Sequence, residues 1–299
     1  MSILILQAGK QSCLCDFTFD FIWQHRGSRL DPDAAVGPYS YRKLVEALKA
    51  GETVRIEGDV GSRLASSMGV DLVKLGGSGG PIETTGRVIV DGNVGNRMGI
   101  SMLRGAIYVS GKAEEPLGNV LEVETDRSGY RKYVSLTEIL ERNLAPKEPN
   151  RFQDGSLVVR DGILRDTVGA RNPADRTVRL LGEAGMSTGI LMKAGLMDVR
   201  GGAHENTGAL MRGGRLIVRG KTGDFTGVEM RGGEIFVLGD AGSYACHKMR
   251  GGCIYAREGK PLPPAGTRLL RPAEQKLVSR VLEISPLYAM MYRRLGLES

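Results

Sequence analysis

The sequence predicts an all-β protein, a right-handed, single-stranded β-helix solenoid of 19-residue GxxGxxxG coils with short helical capping and insert segments. Three observations predict the solenoid. First, a glycine follows a short apolar strand at a fixed interval. Gly182, Gly201, Gly220 and Gly239 are each 19 residues from the next, and Gly92 to Gly111 repeats that interval. Gly58 precedes Gly92 by 34, one period plus fifteen inserted residues. Second, ten residues after these anchors stand Met68, Met102, Met192, Met211, Met230 and Met249, with Leu121 in the same register. Third, the positions four and two residues before each anchor are apolar in every copy: Val54/Ile56, Val88/Val90, Ile107/Val109, Val178/Leu180, Met197/Val199, Leu216/Val218 and Ile235/Val237. Between and after them come charged residues such as Arg55, Asp91, Arg179, Asp198, Arg200 and Arg219, the period-two signature of a strand with one buried face.

A repeat of this length holds one strand that cannot bury its face alone. Copies must therefore stack, and equivalent residues form vertical ladders with a spacing of roughly 4.8 Å. The methionine and Val/Ile/Leu ladders are the expected core. Glycines recur inside the copy as well: GNVGNRMG (92–99), GEAGMSTG (182–189) and GKTGDFTG (220–227) share GxxGxxxG. Corners of this kind need either positive φ or close backbone stacking, and glycine allows both. Ala65, His204 and Cys246 replace individual glycines of the motif, so those corners tolerate a Cβ. The motif superficially resembles a phosphate loop. That chemistry needs one glycine-rich turn between a strand and an amphipathic helix, whereas here the turn recurs with strands on both sides.

The elements divide the chain into three parts. Residues 1–52 read as an N-terminal cap or partner-docking segment, with a possible hairpin in FTFDFIWQHRG and a short helix in YSYRKLVEALKAGE that ends at Gly51. Residues 53–259 form the β-helix. It is interrupted by an insert at 126–152 whose VSLTEILERNLAPKEPN carries a helical pattern ended by Pro146, and LVVRDG (157–162) reads as a degenerate coil with Asp161 at the anchor. Residues 260–299 hold a stiff PLPPAGT linker and an amphipathic helix broken near Pro286, which either caps the far end or docks on another protein.

Composition bounds the function. Of 299 residues 43 are glycine and only 5% are aromatic, and the net charge is +7. The positive sign permits acidic partners, anionic ligands or nucleic acid. A nucleic-acid groove would interleave aromatics with its basic residues, and few are present, so no nucleic acid is expected. No apolar run approaches the length of a membrane span, and the N-terminus lacks a basic leader, which gives a cytoplasmic reading. Cys13, Cys15, Cys246 and Cys253 have neither CxxC nor framework spacing and read as free thiols. Cys13 and Cys15 would share one face of a strand, a candidate redox or soft-metal pair. His25, His204 and His247 are scattered, so no metal site is expected. No nucleophile elbow and no ladder of paired carboxylates is present, so no catalytic residue is assigned.

One ladder stands out. Eleven residues past the anchors come Lys193, Arg212, Arg231 and Arg250, and stacked like charges repel unless something acidic lies beside them. Solvated or locally paired cations, an acidic partner surface and an anionic substrate tail all fit this pattern.

Tandem GxxGxxxG copies joined by the MxGG turn, as in GKTGDFTGVEMRGGEIFVLGDAG, resemble the GXGXG domain. That domain is shared by the GXGXG subunit of formylmethanofuran dehydrogenase, its counterpart in the bacterial formyltransferase/hydrolase complex and the C-terminal domain of the glutamate synthase large subunit. The resemblance covers residues 53–259, and GNVGNRMGISMLRGAIYVSGKAEEPLGNVLEVETD looks most like the dehydrogenase member. It implies a right-handed β-helix acting as a non-catalytic scaffold of a complex that converts carbon dioxide to formate and condenses it with methanofuran, or the reverse. The implied partners are a tungsten- or molybdenum-pterin subunit, an amidohydrolase-like subunit and a formyltransferase-like subunit. The implied pterin, iron–sulfur clusters and amidohydrolase metals sit in those chains, and no cofactor is expected on this one.

Overall fold

A computed structural model describes residues 3–8, 31–73 and 76–297. The FTFDFIWQHRG segment, His25 and the Cys13/Cys15 pair lie outside the described residues. The chain divides into two compact units, Met1–Lys147 and Glu148–Ser299, and the boundary falls inside the segment where the repeat breaks. Each unit is a stack of parallel β-solenoid coils.

The first unit contains strand β1 (Ile3–Gln7), the two-residue strands β2 (Ala35–Val36) and β3 (Tyr39–Ser40), and helix α1 (Tyr41–Lys49). There follow β4 (Thr53–Glu57), β5 (Arg87–Asp91), β6 (Ala106–Val109), β7 (Val120–Val123), β8 (Arg131–Ser135) and helix α2 (Leu136–Arg142). Its main sheet runs β1-β4-β5-β6-β8-β7. Val88 pairs with Val54 and Ile107 with Val88, so the 34- and 19-residue intervals read from the glycines are the true registers. The fifteen extra residues form an excursion between Gly69 and Gly86, closed by a bridge between Val70 and Pro81. Asp71 holds it, accepting from Ser78 N at 2.7 Å and from Lys49 Nζ at 2.7 Å.

Helix α1 lies within the expected stretch but starts two residues into it, after β3: the Ser40 hydroxyl accepts from Lys43 N, and the chain turns out at Gly51 with φ +81°. Strand β1 adds a parallel rung outside β4. The insert departs from a simple side loop. Strand β8 enters antiparallel between β6 and β7, and α2 follows it with Leu136, Ile139 and Leu140 fully buried. Leu121 is buried as expected, but it lies within β7 and not at a coil corner.

The second unit holds β9 (Arg151–Gln153), β10 (Ser156–Val159), β11 (Thr177–Leu180), β12 (Leu196–Val199), β13 (Arg215–Val218), β14 (Arg231–Val237), β15 (Ser243–Ala245), β16 (Gly251–Ala256), β17 (Lys260–Pro261) and β18 (Gly266–Leu269). Helices α3 (Pro272–Leu282) and α4 (Pro286–Ala289) and strand β19 (Arg293–Gly296) complete it. Strands β10 to β14 and β16 are consecutive parallel rungs. Val159 pairs with Leu180, which puts Asp161 opposite Gly182 and makes 157–162 a rung of the stack.

The core is the one the ladders define. All fourteen strand positions named above and all six methionines are buried. The glycine anchors serve close approach more than backbone conformation. A Cβ at Gly201 would lie 2.7 Å from the carbonyl oxygen of Gly182, and one at Gly111 would lie 2.7 Å from that of Gly92; Gly239 and Gly220 stand in the same relation at 3.0 Å. The same pairs are joined by backbone hydrogen bonds of 2.8, 3.0 and 2.9 Å, respectively. Of the seven anchors Gly58 has positive φ. Among the glycines of the motif the left-handed conformation falls instead on the third, as in Gly189 and Gly208, and there Ala65 and Cys246 adopt φ of +56° and +57° with their Cβ in place.

The outer face of the second unit is buried too, which the charged alternation did not anticipate. On β13, β14 and β16 the outward residues are Ile217, Phe236 and Tyr255, and these pack against Leu270, Val278, Leu282, Ala289 and Tyr292 of the C-terminal segment. That segment therefore docks on its own chain. It also caps the stack, since β19 pairs antiparallel with β16 and β18 pairs with β19. Arg219 fastens it: Nε donates to Asp198 at 3.1 Å, and the other nitrogens donate to Leu282 O at 2.9 Å and Glu283 at 3.0 Å. Glu274 is a second fastener, accepting both Arg268 Nη donors at 2.7 Å and the Arg271 N–H at 2.7 Å.

Two outcomes follow from this packing. Gly201→Ala must push two coils apart and is expected to lower stability by about 1–3 kcal/mol, and Met211→Ala by about 2–5 kcal/mol, both read by chemical denaturation. The Arg268 guanidinium holds the Glu274 carboxyl at about 2, below its ordinary 4.5. Its contribution is therefore fully present above about pH 4.5 and is lost as pH falls toward about 2. Glu274→Gln should flatten the acid limb of the stability profile in that window, as measured by urea unfolding at stepped pH.

Candidate functional site

The MRGG phrase builds the candidate site residue by residue. The methionine points inward. Its carbonyl accepts two hydrogen bonds from the next coil: Met192 O from Arg212 N (2.8 Å) and Gly213 N (3.2 Å), Met211 O from Arg231 N (2.8 Å) and Gly232 N (3.3 Å), and Met230 O from Arg250 N (2.8 Å) and Gly251 N (3.2 Å). In the degenerate coil Asn172 takes the methionine's place, and its carbonyl accepts from Lys193 N at 2.9 Å. The backbone under each cation is thus pinned to the coil before it.

The first glycine of the phrase sits against the carbonyl below. A Cβ at Gly232 would meet Arg212 O at 2.6 Å, and one at Gly251 would meet Arg231 O at 2.5 Å. The second glycine has positive φ (+79° at Gly214, +90° at Gly233, +87° at Gly252) and lies over the methionine methyl of the coil before. No other residue type satisfies both demands at that position.

The four cations Lys193, Arg212, Arg231 and Arg250 are brought together as a single exposed row on successive coils, as the 19-residue spacing required. None of the four forms an ion pair or side-chain hydrogen bond with another described residue. Three other arginines of this unit do find carboxylates: Arg200 pairs with Asp198 at 3.0 Å, Arg257 with Asp240 at 3.2 Å, and Arg215 with Glu234. The reading in which the row is neutralised locally at the corners is therefore not what the described residues form.

The structure also forms clefts that the sequence did not disclose. One in the first unit, of about 730 Å³, is lined by Thr85, Arg87, Tyr108, Asp126, Lys132 and Glu138 among others. Antiparallel pairing of β6 with β8 sets Lys132 opposite Tyr108. Asp126 accepts from the Tyr108 hydroxyl at 2.7 Å and from Lys132 Nζ at 3.1 Å, and these donors hold its carboxyl at about 2. Burial pushes the Glu138 carboxyl up, while it accepts from Gly105 N at 3.1 Å and pairs with Arg142 at 3.0 Å. Asp126 and Lys132 are thus engaged with one another, and Glu138 with Arg142. A second cleft, of about 720 Å³ in the second unit, contains the Asp240–Arg257 pair and Asp224, whose carboxylate accepts from Ser243 N at 2.7 Å.

Cys246 and Cys253 are buried free thiols, and burial pushes the Cys246 thiol up to about 12. Both are held protonated at neutral pH and are poor nucleophiles. His204 is exposed, and His247 stands edge-on to Phe225. Among the described residues no group of three or more His, Cys, Asp or Glu side chains is placed to hold a metal ion, and no helix is long and apolar enough to cross a membrane.

No family model matches the chain, and no solved structure matches it. It is similar to an uncharacterized protein of Methanothermobacter thermautotrophicus, 47% identical over 198 residues, which are 65% of this chain and 64% of that relative. The chain thus matches just under two thirds of the relative's length.

Stacked like charges should be felt in stability. Replacing Arg212 and Arg231 together by Gln is expected to raise the thermal midpoint by on the order of 1–2 °C at about 20 mM salt and to leave it unchanged at about 0.5 M, where the Debye length falls below the rung spacing. A differential scanning measurement at both salt concentrations checks this.

Proposed function

We propose that this protein is a non-catalytic scaffold that holds other chains in register. The observation that carries the reading is the four-membered cation row, fixed to the backbone of a regular stack and unpaired within the described residues. A cost in self-repulsion is retained on a rigid surface, and docking of an acidic partner gives it a use. The Asp126–Lys132 and Asp240–Arg257 pairs in the clefts and the protonated buried thiols support a structural role for this chain.

The assembly is proposed from the GxxGxxxG–MxGG resemblance. On that basis the chain acts as the GXGXG subunit of a formylmethanofuran dehydrogenase complex, beside a tungsten- or molybdenum-pterin subunit, an amidohydrolase-like subunit and a formyltransferase-like subunit. The chemistry would reside in those partners, and this chain would supply the surface that orders them.

A native pull-down of the tagged chain, with mass spectrometry of the recovered proteins and metal analysis, tests the proposal. Recovery of amidohydrolase-like and formyltransferase-like chains with tungsten or molybdenum is the expected result. The same chains without either metal would move the assignment to the formyltransferase/hydrolase complex, and flavin-bearing chains would move it to a glutamate synthase-type assembly. A lone monomer would contradict the scaffold role.

A further inference from the structure

We infer that Lys193, Arg212, Arg231 and Arg250 form a docking track for an acidic α-helix of a protein partner, lying along the stacking direction with carboxylates at positions i, i+3, i+7 and i+10. The inference rests on the scaffold reading and adds the chemistry and geometry of the partner segment.

Spacing selects the helix. Successive rungs stand about 4.8 Å apart, so the four cations lie near 0, 4.8, 9.6 and 14.4 Å along the stack. A helix rises about 1.5 Å per residue, which places carboxylates at i, i+3, i+7 and i+10 near 0, 4.5, 10.5 and 15 Å. Each falls within about 1 Å of its rung, a mismatch that flexible arginine and lysine side chains absorb. The four positions also fall within an arc of about 80° on one helix face. An extended strand presents same-side residues about 6.6 Å apart and drifts out of step by more than one rung over the row.

The surface beside the row fits the same occupant. Directly after the cations come Ala194, Gly213, Gly232 and Gly251, and next to those Gly195, Gly214, Gly233 and Gly252. All eight are partly exposed, so a strip two residues wide and almost free of side chains runs parallel to the charges. The glycines are required by contacts with the coil below, and their consequence outside is a shallow floor on which a helix can lie close. A nucleic acid strand would gain little here, because a strip of glycine offers no aromatic face for bases.

Charge complementarity decides the sign. With the row unpaired among the described residues, an incoming set of carboxylates removes the like-charge repulsion and gains four cation–carboxylate contacts, without breaking an existing ion pair.

The experiment uses the full chain and a fluorescent, alanine-rich 18-residue peptide with four glutamates at i, i+3, i+7 and i+10. A peptide of identical composition with its glutamates distributed around the helix is the control. In fluorescence anisotropy at about 50 mM salt, the aligned peptide is expected to bind at least about tenfold tighter than the control and to weaken as salt rises. The double substitution Arg212→Glu/Arg231→Glu should remove that preference. Arg212→Gln/Arg231→Gln, which leaves no new charge, should reduce it while circular dichroism reports an unchanged fold.

Equal affinity for the two peptides, or an aligned-peptide affinity untouched by either substitution, would overturn the inference. So would tighter binding of a single-stranded oligothymidylate that the same substitutions abolish, which would assign the row to nucleic acid. The scaffold reading fails separately. Recovery of the same partner chains by the wild-type and charge-reversed proteins would sustain the scaffold and refute the track, whereas selective peptide binding by a chain that recovers no partner would sustain the track and refute the assembly.

Discussion

The contact on which this structure depends is backbone against backbone, where one coil lies over the next. At Gly201 and Gly111 there is no room for a Cβ, because the carbonyl of the previous anchor occupies that space and accepts the N–H of the next. The MRGG phrase repeats the constraint on another corner, with the methionine carbonyl taking two donors from the coil above it. Each coil is therefore a near-copy of its neighbour translated by one strand spacing. The apolar ladders pack because the backbone translation forces equivalent side chains to meet.

The same translation accounts for the surface. Once the methionine, the first glycine and the second glycine are each fixed by a contact with the preceding coil, the residue between methionine and glycine can only point outward. Four coils place Lys193, Arg212, Arg231 and Arg250 there, and no described residue neutralises them. On another face of the same unit, Asp198 and Arg219 are paired with each other beneath the C-terminal segment. The contrast between a covered face and an uncovered row gives the row its meaning.

Much of the fold was legible because the repeat is local and translational. Registers of 19 and 34 residues, the buried methionines, the degenerate coil at Asp161 and the helix ended at Gly51 all follow from spacing within one stretch of chain. What was hidden depends on partners distant in sequence. The burial of Ile217, Phe236 and Tyr255 on the outward face depends on C-terminal helices tens of residues away. Antiparallel entry of β8 between β6 and β7 has no local signature, and so neither the Tyr108–Asp126–Lys132 cluster nor the cleft around it could be foreseen. The cation row was visible in the sequence; its lack of local partners was not, since that required every neighbouring carboxylate to be placed.

Residue-resolved amide hydrogen exchange would test the central claim most directly, since the claim is that coil-to-coil backbone contacts carry both the core and the exposed row. The N–H groups of Gly201, Arg212, Arg231, Gly239 and Arg250 should exchange only through opening close to global unfolding, although three of those residues carry exposed side chains. Exchange of these amides at rates typical of unstructured surface chain would contradict the stacked-coil account.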